Sequence, residues 1–523
     1  MAIPRILRHC SLGGLLLSLW LGGALRAESP KLTVVLVAEQ FRADYLERYA
    51  DEFGPDGLRR LIENGAVFPR MRYETASSWA APAAATLATG AWANGHGIVA
   101  DAWFDQAEGR VVRATESAQG PAPNRLVGST FADELFAATD GRARIVAISG
   151  DPTAAVLLGG RRPRGCYWRG ESGAWQSSSF YGASLPKWVS NYVSERALTP
   201  AGRRLWIARG APADAPALRV LDTEGFLQLY QASPFAIDDL FAFGLEALKA
   251  EKLGKRGQPD LLILSLSAPA RLALETGADS PLMHDLILRL DDAIAKFLAE
   301  LDREVGLDST LVAFTGLHGA PPQREQARLA GFISGAIPGD RIAATVDDVL
   351  QSEFGDRIGV RSYVYPFLQL TASVQRRSPL DRQHILEAAG RAATTEPGVA
   401  LWYSPLAPSA LGERQRLFEN ASYPGRSGDL ILAYEPYYSE AFGDGRGVTP
   451  GSMYRYDTET PLILMGSAFR PGRYEGPALA SSFASTLTAA LGLATPSSAT
   501  GEPLVRAMRG PGQPVVGPPS PLP

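Results

Sequence analysis

Short runs of Val, Ile and Leu recur along this chain, each leading into a loop and then a helical pattern, and that rhythm leaves few folds open. The runs lie at 32–37, 145–148, 261–266, 311–314, 430–434 and 461–465. Strands that are apolar on both faces and spaced by helices predict an α/β fold: a mostly parallel central sheet with helices on both faces. Helical periodicity is read at 57–64, 83–89 and 284–305. In the last of these, Leu286, Leu290, Ile294, Phe297 and Leu298 form a core-facing stripe. Chemistry in such sheets sits beyond the carboxyl ends of the strands. Those ends are predicted at 38–40, 149–151, 267–269 and 315–318.

Two segments interrupt the rhythm. Residues 160–235 are rich in Trp, Tyr, Ser, Gly and Pro and are expected to form a cap inserted over the strand ends. Residues 320–425 form a second insertion with helices of its own. The stretch 508–523, ending GPGQPVVGPPSPLP, is too poor in apolar residues to fold and is expected to be a disordered tail. The α/β domain is expected over 28–507.

Residues 1–27 are read as a signal peptide. Arg5 and Arg8 precede a short apolar run, and small residues offer a cut after Ala24 or Ala27. The rival reading is an uncleaved N-terminal anchor; no later stretch is long and apolar enough to span a bilayer. The expected location is therefore outside the cytoplasm, periplasmic or secreted. The cut removes Arg5, Arg8 and Arg26 and no acid, which leaves 48 basic residues against 55 acidic ones, a balance of −7. A mildly acidic surface argues against nucleic acid as a main partner. Cys10 leaves with the signal, so Cys166 is alone and is read as a packed structural thiol.

The stretch 77–97, SSWAAPAAATLATGAWANGHG, matches T-G-P-G-H-A-S-x-x-T-G followed by H-G-I. Pro82, Ala85, Thr86 (in place of the Ser), Thr89, Gly90, His96, Gly97 and Ile98 fall into those slots, with no gap between Pro82 and Gly90. Further landmarks are YWRGESGAWQSSSFYGASLPKWV, NASYPGRSGDLILAYEPYY and PGSMYRYDTETPLILMG. Together they resemble the alkaline phosphatase superfamily (type I phosphodiesterase/nucleotide pyrophosphatase-like), in particular its zinc-dependent periplasmic branch with a threonine nucleophile. The likeness runs from about residue 32 to about residue 470.

The resemblance implies two zinc ions held by Asp and His, one activating the nucleophile and one stabilising the leaving oxygen. Slot by slot, this chain departs from that pattern. The nucleophile's place holds Ala80, which has no oxygen to attack phosphorus. The first Asp ligand is Glu39. The Asp and His after the 261–266 run are Ala270 and Leu274. The next Asp is Leu317, beside the one retained ligand, His318. The last His is Pro450, and the His of the family's Y-D-T-H-V-P is Glu459. The phosphate-contacting Asn is Asp101, and the family's K-x-R is Gly150-Asp151-Pro152, which trades two cations for an acid. After the cut only His96, His284, His318 and His384 remain, and the first, second and fourth are read as structural or surface residues.

Two readings follow. One is an exported pseudoenzyme with a binding or scaffolding role and no bound cofactor. Its former cleft would be made more apolar by Ala80, Leu317, Ala270, Leu274 and Pro450, and would take an envelope protein or a small ligand. The other is a phosphomonoester or phosphodiester hydrolase whose zinc sits in a rebuilt site of Glu39, Asp101 and His318, with a metal-bound water as the attacking group.

Overall fold

The computed structural model describes residues 29–509, apart from 199–203, 213, 223, 408–410 and 443–446. The predicted signal segment and most of the predicted tail therefore lie outside the described residues. Met508, at the start of that predicted tail, bridges to Phe469, and the Arg509 N–H donates to Ala468 O at 2.8 Å.

The central sheet is mixed. Its main strands are β1 (Leu32–Ala38), β2 (Gly65–Arg72), β3 (Ile145–Ser149), β4 (Gly165–Arg169), β5 (Trp175–Gln176), β6 (Asp260–Leu266), β7 (Thr310–Gly316) and β8 (Glu459–Met465). They lie side by side in the order β2-β8-β7-β1-β6-β3-β4-β5, with the short strand Gly472–Arg473 beyond β2. β7, β1, β6, β3 and β4 run parallel, whereas β8 is antiparallel to both β7 and β2. All seven residues of β1 are buried. Val35 and Val37 point into one apolar cluster, and Leu32, Val34, Leu36 and Ala38 into a second on the opposite face. Each face is covered by helices, which is what a strand apolar on both sides demands.

Two expectations are revised. The segment expected as a cap begins inside the sheet, because β4 pairs with β3 and β5 pairs with β4. The run Leu430–Tyr434 does not join the central sheet at all. It is a middle strand of a separate antiparallel sheet with Val360–Val364, Phe367–Leu370 and Val399–Tyr403, which has its own apolar cluster under helices Gly339–Phe354 and Pro379–Ala393. A fully buried five-residue strand reads the same in either setting, since burial on both faces sets its composition and not its partners.

Four helices matter for the site: α1 (Ala80–Thr89), α2 (Pro152–Gly159), α3 (Ala268–Thr276) and α4 (Pro281–Glu304). α1 is built mostly of alanine, and nine of its residues are buried. Small side chains let it lie close against its neighbours, and it ends at Gly90, whose φ of 72° is left-handed. A Cβ there would come within 3.0 Å of Ser481 O. Glycine is the residue this stop requires.

Phe314 of β7 is fully buried and meets Phe41 edge-on at 5.1 Å between ring centroids. Replacing it with alanine is expected to destabilise the fold by about 3–5 kcal/mol in a urea titration, because the cavity it leaves cannot collapse against a rigid sheet.

Candidate functional site

The parallel register sets the floor of the site. Ala38 of β1 stands beside Leu266 of β6 and Gly316 of β7, so the three strands end level. Glu39, Ser267 and His318 follow at those ends and line one cavity of about 610 Å³ together with Asp101, Asp151, Ala80, Ala270, Leu274 and Pro450. The strand-end expectation is met, and the cavity occupies the position the fold assigns to chemistry.

Ala80 is the first residue of α1, and its methyl is the whole of its side chain. Of the neighbouring hydroxyls, Ser77 Oγ is buried without a partner, and Ser78 and Thr86 are engaged elsewhere. Ser78 Oγ donates to Ser452 O at 2.7 Å. Thr86 Oγ1 lies 3.1 Å from His96 Nε2, while His96 Nδ1 accepts the Ile98 N–H at 3.1 Å. His96 is a fully buried staple, and burial holds its pKa down to about 3. His284 stacks on Tyr49 at 4.6 Å and contacts Glu52 at 2.9 Å, and His384 is exposed. Cys166 is buried, and burial pushes its thiol up. None of these four residues lines the cavity.

Asp101 has a definite task. Trp79, which precedes α1, provides no side-chain cap, and Asp101 Oδ1 instead accepts the Ala81 N–H at 2.7 Å. A carboxylate at a helix N-terminus meets both an orphan donor and the positive end of the helix dipole. Burial still raises the Asp101 pKa to about 6, with Asp151 adding to the rise. Glu39, 4% exposed, is pushed well above the usual carboxylate range by burial and then by Asp151; Ser265, whose Oγ donates to it at 3.1 Å, pulls the other way. His318, 2% exposed, is held down to about 4 by burial, with Nδ1 2.8 Å from Gly319 O.

The cleft carries charges beside the apolar side chains of Ala80, Ala270, Leu274 and Pro450 expected there. Leu317 is fully buried in the apolar cluster and takes no part in the cavity lining. Consecutive residues of an extended segment point to opposite sides, so the residue before His318 faces the core. Arg113 and Arg271 line the cavity instead, and sequence reasoning passed over both. Arg271 directly follows Ala270, so a basic residue next to an expected ligand position was a visible signal. Arg113, on the strand Arg110–Arg113, carried none.

Glu39, Asp101 and His318 thus share one cavity without meeting as a compact donor group. Among the described residues no three His, Cys, Asp or Glu side chains form a group able to hold a metal ion. The donors present do not fit two zinc ions, which need about four N, O or S ligands each at roughly 2.0–2.3 Å. Glu459 starts β8 and lies 3.6 Å from Arg455 as an ion pair.

The loop that carries Pro450 is fixed by Asp457. Its Oδ2 accepts the Ser452 N–H at 3.0 Å and the Ser452 Oγ–H at 2.6 Å. Burial raises the Asp457 pKa to about 7, against the pull of those Ser452 bonds and of Arg42. The raised value means the folded state favours the protonated acid. Stability is therefore expected to fall as pH rises from about 4, where a free Asp titrates, to about 7. Asp457→Asn should flatten that part of the profile in thermal melts across pH, since the amide oxygen still accepts from Ser452.

Comparisons with known proteins agree with this architecture. The family model described as type I phosphodiesterase / nucleotide pyrophosphatase matches residues 33–453. A protein of Myroides odoratus named calcium-transporting ATPase is 26% identical over 92% of this chain and 95% of its own length. Alkaline phosphatase PhoV of Synechococcus elongatus is 26% identical, covering 90% of this chain and 92% of its own. The crystal structure of wild-type alkaline phosphatase PafA superposes with a TM-score of 0.82 at 23% identity, covering 92% of this chain and 99% of that one.

Proposed function

The chain belongs to the type I phosphodiesterase / nucleotide pyrophosphatase family, within the alkaline phosphatase superfamily, and from that membership we propose that it is a pseudoenzyme: an exported binding or scaffolding protein on a phosphatase fold. The observation that carries this reading is the start of α1. Ala80 offers no nucleophile there, and the Ala81 N–H that could receive an incoming anion is already taken by the carboxylate of Asp101. A negative charge fixed at that point opposes a phosphoryl group that catalysis would need to clamp. The side chains at Ala270, Leu274, Leu317 and Pro450 cannot ligate zinc, which supports the same conclusion from separate strand ends.

The cavity remains as a place for a small ligand or for a segment of an envelope protein. The location, periplasmic or secreted, rests on the sequence of residues 1–27. No described helix is long and apolar enough to cross a membrane.

A second reading, a hydrolase of phosphate mono- or diesters with zinc at Glu39, Asp101 and His318, draws on their lining one cavity. In that case the three side chains would hold the ion, and the ion would supply an activated water. The two readings separate in one preparation. Purified protein is expected to carry no stoichiometric zinc by elemental analysis and to leave aryl phosphate mono- and diesters intact. Ala80→Thr alone should not restore turnover. Stoichiometric zinc together with turnover that His318→Ala abolishes would overturn the pseudoenzyme reading.

A further inference from the structure

The walls of the cavity hold acceptors that the protein itself uses only by half. Glu39 Oε1 accepts the Ser265 hydroxyl at 3.1 Å, Asp101 Oδ1 the Ala81 N–H at 2.7 Å, and Asp151 Oδ1 the Thr153 N–H at 3.0 Å. Each carboxylate is thereby pinned by one oxygen. The second oxygen of each makes no hydrogen bond and no ion pair among the described residues. His318 repeats the pattern. Its Nδ1 faces the Gly319 carbonyl at 2.8 Å, which makes that nitrogen the N–H donor and leaves a lone pair on Nε2, with no partner among the described residues. Glu39 and His318 are both more than nine-tenths buried and both line the cavity. Fixed acceptors left open to the cavity can take a donor from outside the chain.

The spacing of these acceptors says what kind of donor. They do not gather closely enough to share one metal ion. A cation with several diverging N–H bonds, such as an ammonium group on a carbon chain, can reach acceptors spread around a wall. The opposite sign is present as well. The Arg271 guanidinium lines the same cavity, its Nε is buried without a partner, and no acid lies within ion-pair distance of it among the described residues. A pure cation would leave that group unmatched.

We infer that the cavity binds a small zwitterion, the three N–H bonds of its ammonium end taken up among the open acceptors of Glu39, Asp101, Asp151 and His318 and its anionic end held by Arg271. A volume of about 610 Å³ accommodates a molecule of that size. The anionic group is a carboxylate or a phosphate, both of which a guanidinium recognises through paired N–H bonds. This assignment rests on the binding reading of the protein given above.

The test uses the purified full chain and matched probes in calorimetry: β-alanine, 6-aminohexanoate and phosphoethanolamine, against propylamine, hexylamine, propionate and hexanoate. At least one zwitterion is expected to bind, and more tightly than the singly charged probes of its length. The better of the carboxylate and phosphate arms identifies the anionic end. Glu39→Gln, Asp151→Asn and Arg271→Gln, each confirmed folded by its thermal midpoint, should weaken that binding by about tenfold or more, the effect of losing one hydrogen bond to a charged group. Equal binding of an amine lacking the acid would overturn the inference, as would affinity unchanged in all three variants, or no zwitterion binding at all. Absence of binding with no phosphate ester turnover would sink this inference alone. Zinc-dependent turnover would sink the reading beneath it.

Discussion

The level ends of β1, β6 and β7 govern the rest of the molecule. Because Ala38, Leu266 and Gly316 lie side by side, residues far apart in sequence emerge onto one rim. Glu39, Ser267 and His318 meet there for reasons of register and not of chemistry. The rim would form from any side chains at those positions, as long as the strands beneath stay apolar on both faces. That separation of scaffold from site lets the fold persist while the residues at the strand ends change.

The family-like motifs divide along the same line. Arg426, in the stretch NASYPGRSGD, reaches back to Gly97 O and to Arg125 O at 2.8 Å, tying the turn after His96 to a distant loop. Asp429 accepts the Leu370 N–H at 2.8 Å and bonds Gln375 at 3.0 Å, holding the second sheet together. Asp457 clasps Ser452, and Thr86 meets His96. These motif residues hold tertiary structure. At the expected site positions, Glu39, Ala80, Asp101, Asp151, Ala270, Leu274 and Pro450 line the cavity, whereas Leu317 and Glu459 do not. Buried hydrogen bonds between distant segments are costly to lose, whereas a cavity wall can change its chemistry without unpacking the core.

The electrostatics of the cavity follow from the acids and bases that line it together. Glu39, Asp101 and Asp151 lie close enough that Asp151 raises the other two. Arg271 and Arg113 restore part of the balance, Arg271 acting on Glu39 and Arg113 on Asp101. The result is a small compartment of opposed, largely unpaired charges.

The sequence alone determined the fold class, five of the eight main strands of the central sheet and the identity of the strand ends, because period and burial are written locally in each segment. It also revealed what stands at each family slot: Ala80, Ala270, Leu274 and Pro450 at the cavity, with Glu39, Asp101 and His318 beside them. What it could not determine was which side each residue faces and what it meets. Leu317 was expected in the cleft and lies in the core, the run Leu430–Tyr434 was expected in the central sheet and joins another, and the two arginines that make the cleft charged went unnoticed. Those outcomes depend on register, on the alternation of side chains beyond a strand's end and on loops arriving from elsewhere in the chain. Such contacts are set by tertiary packing, and no local pattern encodes them.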